Sequence, residues 1–457
     1  MRRQTSEPRN IMSTEAKPET DTTPDLPDAK PPFLKRVRIR NYKSIAFCDV
    51  SLEPLTILVG RNASGKSNFL DALGFLADLM DMKVTDAVGE HGGWRSVLSR
   101  SATSPYIEFA VDASLSLGGS HPIWDADYAF VLEEGTSHQI RVCWERLILR
   151  EHGAEGYEGF EYRDGKLTWF GRAQPLIDIQ KYASLEDIVH ASSNGIAPLE
   201  FHPKHPLDRV ILSSMGNQLT EEFRASAVYN FSPPAIRQIK LLTASTGLAH
   251  DGSNLAHSIA ALREIDPSEV ERVGQSLTAI VPEIVAFETI PYGTEDETIQ
   301  FSVVAHPGAD PQQFLARNMS DGTLRVLAAL IASRQIYLPT NASGFIGIEE
   351  PETALHPDAM MALVEALDEA TLIKQILLTT HSPDLLDVYS IKPENVRVVE
   401  MIDGETVIGG VDEASLEIIK RKLDTLGGRE RQKQLEPNRE DVERQKRLAC
   451  NGQRQPA

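Results

Sequence analysis

Two stretches of this sequence combine residue types that do chemistry together. The first, Gly60-Arg61-Asn62-Ala63-Ser64-Gly65-Lys66-Ser67, fits the pattern G-x-x-x-x-G-K-S. Its glycines let successive backbone N–H groups face phosphate oxygens, Lys66 reaches the outer phosphates, and the Ser67 hydroxyl suits a Mg²⁺ ion. The second is Glu349-Glu350-Pro351, where two like charges stand side by side at the end of an apolar run. That is costly unless a hard cation and an attacking water use them. Glu349, first after the run, is placed to hold the Mg²⁺ shell, and Glu350 to orient and deprotonate the water. His381, one residue past the apolar run 375–380, joins Lys66 and Glu350 as a candidate catalytic residue.

These residues need a frame that brings them together. Leu55 to Val59 reads as a short buried strand. After the glycine-rich loop a helix carries Phe69, Leu73, Leu76 and Met80 on one face. Phe345 to Ile348, Asp358 to Ala370, Gln375 to Thr380 and Val396 to Met401 read as strand, helix, strand and strand. That order predicts an α/β fold with a mainly parallel core sheet and helices on both faces. Ligands of such sheets sit at the carboxyl ends of the strands, where Gly60, Glu349 and His381 converge.

Alternating runs from 106 to 170 predict an antiparallel β-subdomain. Further on the pattern is helical, as where Val270, Val273, Leu277 and Ile280 share a face after the Asp266-Pro267 start signal. The expected organisation is a disordered leader over 1–32 and the N-terminal part of the core over 33–174. A helical insertion follows over 175–300, the C-terminal part of the core over 301–425, and a disordered charged tail over 426–457.

Composition removes several function classes. With 457 residues, 41% hydrophobic and 25% charged, the chain reads as an ordinary globular protein. Apolar runs are too short for a membrane span, and the first thirty residues lack a signal-peptide core, so a cytoplasmic location without a membrane partner is expected. Cys48, Cys143 and Cys450 show no paired spacing, which argues against a disulfide or zinc framework. The 46 basic and 66 acidic residues give a net charge of −20, so bulk charge does not draw the chain to nucleic acid. The basic stretch Lys35 to Lys43 reads as an edge strand with solvated charges, with a nucleic-acid site as the alternative.

Taken in order, the phosphate loop, Ser320-Asp321-Gly322-Thr323-Leu324-Arg325, the E-E-P-E-x-x-L-H-P run at 349–357 and T-T-H-S-P at 379–383 resemble the ABC-type ATPase heads of the SMC/RecF/OLD branch, often grouped as AAA family ATPases. The resemblance covers about 34 to 402 and implies a P-loop NTPase fold, ATP and Mg²⁺ as cofactors, and ATP hydrolysis. It implies that Lys43, in a run similar to the first strand and turn of those heads, contacts a nucleotide phosphate, and that Asn68 continues the loop's binding surface. By the same resemblance Ser320 and Gly322 form a signature that reaches the γ-phosphate held by a second copy, so that ATP is sandwiched in a homodimer. His381 matches the switch histidine that senses the γ-phosphate.

The departures narrow the reading. Asp321 stands where transporters have a glycine, His356 where they have an aspartate, and Glu349 replaces the usual aspartate. The inter-lobe glutamine has only Asn230 and Gln238 as candidates. OLD-family relatives carry a Toprim nuclease domain after the histidine. No E…D-x-D cluster follows His381 here, so nuclease chemistry is expected from a partner. The function expected is a conformational switch in DNA repair or phage defence, working with a nuclease or other effector protein on DNA or RNA. The alternative is an ATP-gated homodimeric regulatory module with no nucleic-acid activity, and a transporter ATPase fits least.

Overall fold

The computed structural model describes residues 33–451 apart from 117–122, 136–137, 164–165, 172–213, 239–246, 293–295, 307, 336–341 and 343. The expected leader and residues 452–457 of the expected tail lie outside the described residues.

The chain opens with β1 (Leu34–Tyr42), β2 (Ile45–Ser51) and β3 (Leu55–Val59), then α1 (Lys66–Asp81), α2 (Val84–Glu90) and α3 (Trp94–Val97). Five strands follow: β4 (Tyr106–Ser116), β5 (Ile123–Glu134), β6 (Ile140–Glu151), β7 (Glu158–Arg163) and β8 (Lys166–Gly171). Together with the first hairpin they make a seven-stranded sheet in the order β2-β1-β4-β5-β6-β7-β8, each neighbouring pair antiparallel.

Strand β1 is therefore not an edge, and its charges are not free in solvent. It lies between β2 and β4, and Lys35, Arg36 and Arg38 pair with Asp125, Asp49 and Asp112, each at 2.5 Å. The buried pair Arg40–Glu108 adds a fourth, at 3.2 Å. The stretch reads as an edge because each cation's partner lies on another strand, out of view of local sequence.

The middle of the chain holds α4 (Ser214–Arg224), β9 (Ala227–Tyr229), α5 (Pro233–Ile236), α6 (Leu255–Ile265), α7 (Pro267–Ile280), β10 (Ile284–Tyr292), β11 (Asp296–Val303) and β12 (Gln312–Leu315). Helix α7 starts where the sequence signals it, with the Asp266 side chain accepting from the Ser268 N–H. The segment is not helical throughout. Strands β10 to β12 form a three-stranded sheet, and β9 joins the core sheet. A three-residue strand has no periodicity to betray it; its parallel pairing with a later strand creates it.

The last third contains α8 (Asp321–Arg334), β13 (Phe345–Glu349), α9 (Pro357–Ala370), β14 (Gln375–Thr380), α10 (Pro383–Leu386), β15 (Val396–Ile402) and β16 (Glu405–Gly409). The core sheet runs β16-β15-β3-β14-β13-β9, parallel except for the β15–β16 pair. Its central strands are buried along nearly their whole length, and alternate side chains feed two cores. Leu58 and Leu377 face the core shared with α1 and the seven-stranded sheet, while Ile57, Val59, Ile376 and Leu378 face the one shared with α8 and α9. Each buried Ile or Leu contributes about 1.5–3 kcal/mol, which holds the strand ends rigidly in line.

The charged tail folds. Helices α11 (Glu413–Lys420), α12 (Leu426–Arg431) and α13 (Arg439–Asn451) end the described chain. The last two are held by polar anchors rather than an apolar stripe. Arg431 pairs with Asp384 and Asp387, Gln445 donates to the Ile408 carbonyl at 2.6 Å, and Arg40 donates to the carbonyls of Leu448 and Ala449. No hydrophobic pattern announces such contacts.

Candidate nucleotide site

The phosphate loop leaves β3 and enters α1 in the conformation its residues dictate. Gly65 has φ +104, and a Cβ there would lie 1.9 Å from the Thr406 hydroxyl oxygen, so only glycine fits. Thr406, on β16, bonds the Ser64 carbonyl at 3.1 Å, and its hydroxyl also lies 2.7 Å from that of Ser44. The β15–β16 hairpin thus braces the loop from behind, a role for Thr406 that nothing in the local sequence signals.

Lys66 is buried and donates to the loop's own carbonyls, Gly60 at 2.6 Å and Arg61 at 3.0 Å. Burial lowers its pKa, and the surrounding charges of Glu350, Glu352, Glu430 and Glu349 oppose that shift. Ser64 Oγ is buried without a hydrogen-bond partner among the described residues. A glycine cradle, an unpartnered hydroxyl and a desolvated amine fit a phosphate oxygen.

Ser67 Oγ donates to Glu349 Oε2 at 2.9 Å, so the two proposed Mg²⁺ ligands meet although 282 positions separate them. Burial raises the Glu349 pKa against the Ser67 bond, with the charge of Glu350 adding to the rise. A cation at this point would relieve that cost. Glu350, at the next position, turns sharply with φ +43, a region few non-glycine residues adopt. Its N–H is held by Thr379, from the backbone oxygen at 3.1 Å and the hydroxyl at 3.2 Å. His381 Nδ1 lies 3.3 Å from Glu350 Oε1. The strand ends therefore gather Lys66, Ser67, Glu349, Glu350 and His381, with Arg61, Asn62 and Ala63 exposed on the loop's outer side.

The remaining expected residues are placed differently. Lys43 sits in the β1–β2 turn with its amine 2.5 Å from Asp71 of α1, and Asn68 ties that turn to the loop by donating to Ser44 Oγ at 2.6 Å. Ser320 caps α8, accepting from the Thr323 N–H at 3.1 Å. Among the described residues no hydrogen bond joins it to the loop, the two glutamates or His381. Gly322 instead packs on the turn after Glu350, where a Cβ would come within 2.6 Å of the Ala354 carbonyl oxygen. Asp321 pairs with Arg237, so the residue that departs from the transporter pattern has a local partner. Asn230 directly follows β9, next to the strand that ends in Glu349, whereas Gln238 lies beyond α5. Sequence reasoning missed Glu352, which was visible as the third carboxylate of the E-E-P-E run, and Glu430, which α12 brings into the field of Lys66.

A family model described as "AAA domain, putative AbiEii toxin, Type IV TA system" matches residues 149–387, and one described as "AAA ATPase domain" matches 33–104. Endonuclease GajA of Bacillus cereus is 22% identical over 383 residues, covering 82% of this chain and 59% of GajA. The chain thus spans about three-fifths of that relative's length. OLD nuclease of Thermus scotoductus is 22% identical over 411 residues, 87% of this chain and 68% of that one. Among solved structures, an Smc head bound to the C-winged helix domain of ScpA aligns over 84% of this chain and 100% of its own, with 12% identity and a TM-score of 0.48.

Proposed function

The chain belongs to the AAA-domain family of the first model, as an ABC-type ATPase of the SMC/RecF/OLD branch, and from that premise we propose that it binds ATP with Mg²⁺, hydrolyses the ATP and closes as a homodimer around it. One juxtaposition carries the reading: Ser67 on Glu349 at 2.9 Å and His381 on Glu350 at 3.3 Å, both at strand ends beside Lys66. Bound ATP and Mg²⁺ supply the scissile phosphate and the charge that stabilises its transfer. Backbone N–H groups of Gly60 to Ser67 and the Lys66 amine hold the phosphates, while Ser67 and Glu349 hold the cation. Glu350 orients a water and takes its proton, and His381 keeps the Glu350 carboxylate in position. Asn68 and Asp71 of α1 tie the helix that follows the loop to the β1–β2 turn, through Ser44 and Lys43. Ser320 and Gly322 complete the site of a second copy, an isologous and closed arrangement.

We further propose that the switch works in DNA repair or defence with an effector protein, a nuclease in particular, because the two relatives above are named as nucleases. Pairing of the β1 arginines within their own sheet favours a second reading, a regulatory dimer that leaves nucleic-acid contact to its partner.

Light scattering with and without ATP tests the assembly. Glu350→Gln is expected to form a stable dimer only with ATP, and Ser320→Arg to stay monomeric and lose hydrolysis while still binding nucleotide. Lys66→Ala is expected to lose binding itself. Wild-type turnover by Ser320→Arg overturns the in-trans site, and normal ATP affinity in Lys66→Ala overturns the phosphate-loop assignment.

A further inference from the structure

Three residues after Glu349 the chain buries another carboxylate. Glu352 is only 7% exposed, in the turn where the Thr353 N–H donates to the Glu350 carbonyl at 3.1 Å. Its Oε1 accepts from the hydroxyl of Thr380, and its Oε2 is buried with no hydrogen-bond partner among the described residues. A buried carboxylate with one oxygen unpaired is expensive, on the order of 1–3 kcal/mol or more.

Thr380 shows what Glu352 does. Its Oγ1 accepts from the Ser382 N–H at 2.9 Å. A hydroxyl has a single proton, so with that contact made the proton goes to Glu352. The carboxylate therefore fixes the Thr380 rotamer, and Thr380 fixes the peptide that follows His381. On the same strand Thr379 holds the Glu350 N–H. Adjacent threonines thus stitch the turn bearing Glu350 to the turn bearing His381. Burial raises the Glu352 pKa and the charge of Glu350 adds to the rise, while the Thr380 bond, the residue's own backbone N–H and the charge of His381 oppose it, so the group belongs electrostatically to this cluster.

We propose that Glu352 is a positioning residue that acts through Thr380 to set His381 against Glu350. The proposal rests on the ATPase reading above, and it assigns Glu352 no contact with nucleotide or metal.

The full-length chain tests it through Glu352→Gln, Glu352→Ala, Thr380→Val and the Glu352→Ala/Thr380→Val double variant, each measured for ATP turnover and ATP affinity. Glu352→Ala and Thr380→Val are each expected to lower kcat by about 10-fold or more, as small misplacements of catalytic groups do. ATP affinity should stay within about 2-fold. The double variant should be no slower than either single one, the signature of one shared interaction. Glu352→Gln keeps the acceptor for Thr380 and should retain kcat within about 3-fold of wild type.

A readout independent of turnover is the His381 ring resonance in nucleotide-free protein, assigned by loss in His381→Gln. It should move in Glu352→Ala and Thr380→Val and return to its wild-type position in Glu352→Gln. Multiplicative losses in the double variant, wild-type kcat in Thr380→Val, or affinity falling in step with kcat would overturn the proposal. If Glu352→Ala does not fold, Thr380→Val and Glu352→Gln decide it alone. Failure of the ATPase reading shows separately, as a Lys66→Ala variant no slower than wild type, and the ring resonance then decides the positioning by itself.

Discussion

In the seven-stranded sheet Arg36, Arg38 and Arg40 each meet a carboxylate on a neighbouring strand, whereas at the ends of the six-stranded sheet Glu349, Glu350 and Glu352 all act on the single amine of Lys66. The first region neutralises its charge in place. The second keeps an excess of negative charge, a raised Glu349 pKa and a strained Glu350 backbone. Paired charge across antiparallel strands serves the fold; uncompensated charge at aligned strand ends waits for a ligand. The difference follows from sheet type. Antiparallel neighbours face each other along their length and can pair side chains, while parallel strands buried on both faces have room for polar groups only at their ends.

The comparison predicts which property each substitution moves. The largest effect is expected at Arg40, which is buried against Glu108 and also donates to the carbonyls of Leu448 and Ala449. Arg40→Ala leaves Glu108 buried and unpaired, and should lower unfolding free energy by about 3–5 kcal/mol. ATP turnover per folded molecule should stay near wild type. Denaturant titration beside a turnover assay checks both halves. The half-exposed Lys35–Asp125 pair is the control, since Lys35→Ala should cost less than about 1 kcal/mol. A large loss of turnover in Arg40→Ala at full folding would break the division between the regions.

Next comes Glu350→Gln, which keeps size and hydrogen bonding but removes the base. Turnover should fall by about 10² or more, a barrier rise of roughly 2.7 kcal/mol, with ATP affinity and unfolding free energy both retained. Stopped-flow binding and steady-state kinetics on one preparation separate the two. Unchanged turnover would reassign the base to another group.

The smallest effect lies at the seam between the regions. His91 bonds Asp71 at 3.0 Å and Asp78 at 2.8 Å on α1, and Tyr42 of β1 donates to Asp71 at 2.6 Å. Burial alone would lower the His91 pKa, but the two carboxylates raise it to about 9, and Asp71 in turn is held down to about 2 despite its burial. A folded pKa above the unfolded value near 6.5 gives stability that is complete below pH 6.5 and lost as pH rises through 9. From pH 7 to 9.5 the loss should be about 2 kcal/mol. Denaturant midpoints at the two pH values should differ more in wild type than in His91→Gln. Equal differences would show that the seam does not depend on a charged His91.

The sequence by itself determined the phosphate loop, the paired glutamates, His381 and the alternation of strands and helices around them. These were legible because each is local: a glycine spacing, a run of buried apolar residues, a polar residue at a strand's end. The helix over Pro267–Ile280 was legible for the same reason, through its period and its aspartate cap.

Other features required the tertiary structure. The cations of Lys35 to Arg40 became structural only when β2, β4 and β5 supplied their partners. Strand β9 exists because β13 pairs with it, and α12 and α13 fold because distant carboxylates and carbonyls receive their polar side chains. Glu352 stood in plain view as one more glutamate, and only its burial against Thr380 distinguishes it from a solvated neighbour. Periodicity records which face of an element is apolar. It carries no record of which polar group, tens or hundreds of residues away, will be waiting at the other end of a hydrogen bond.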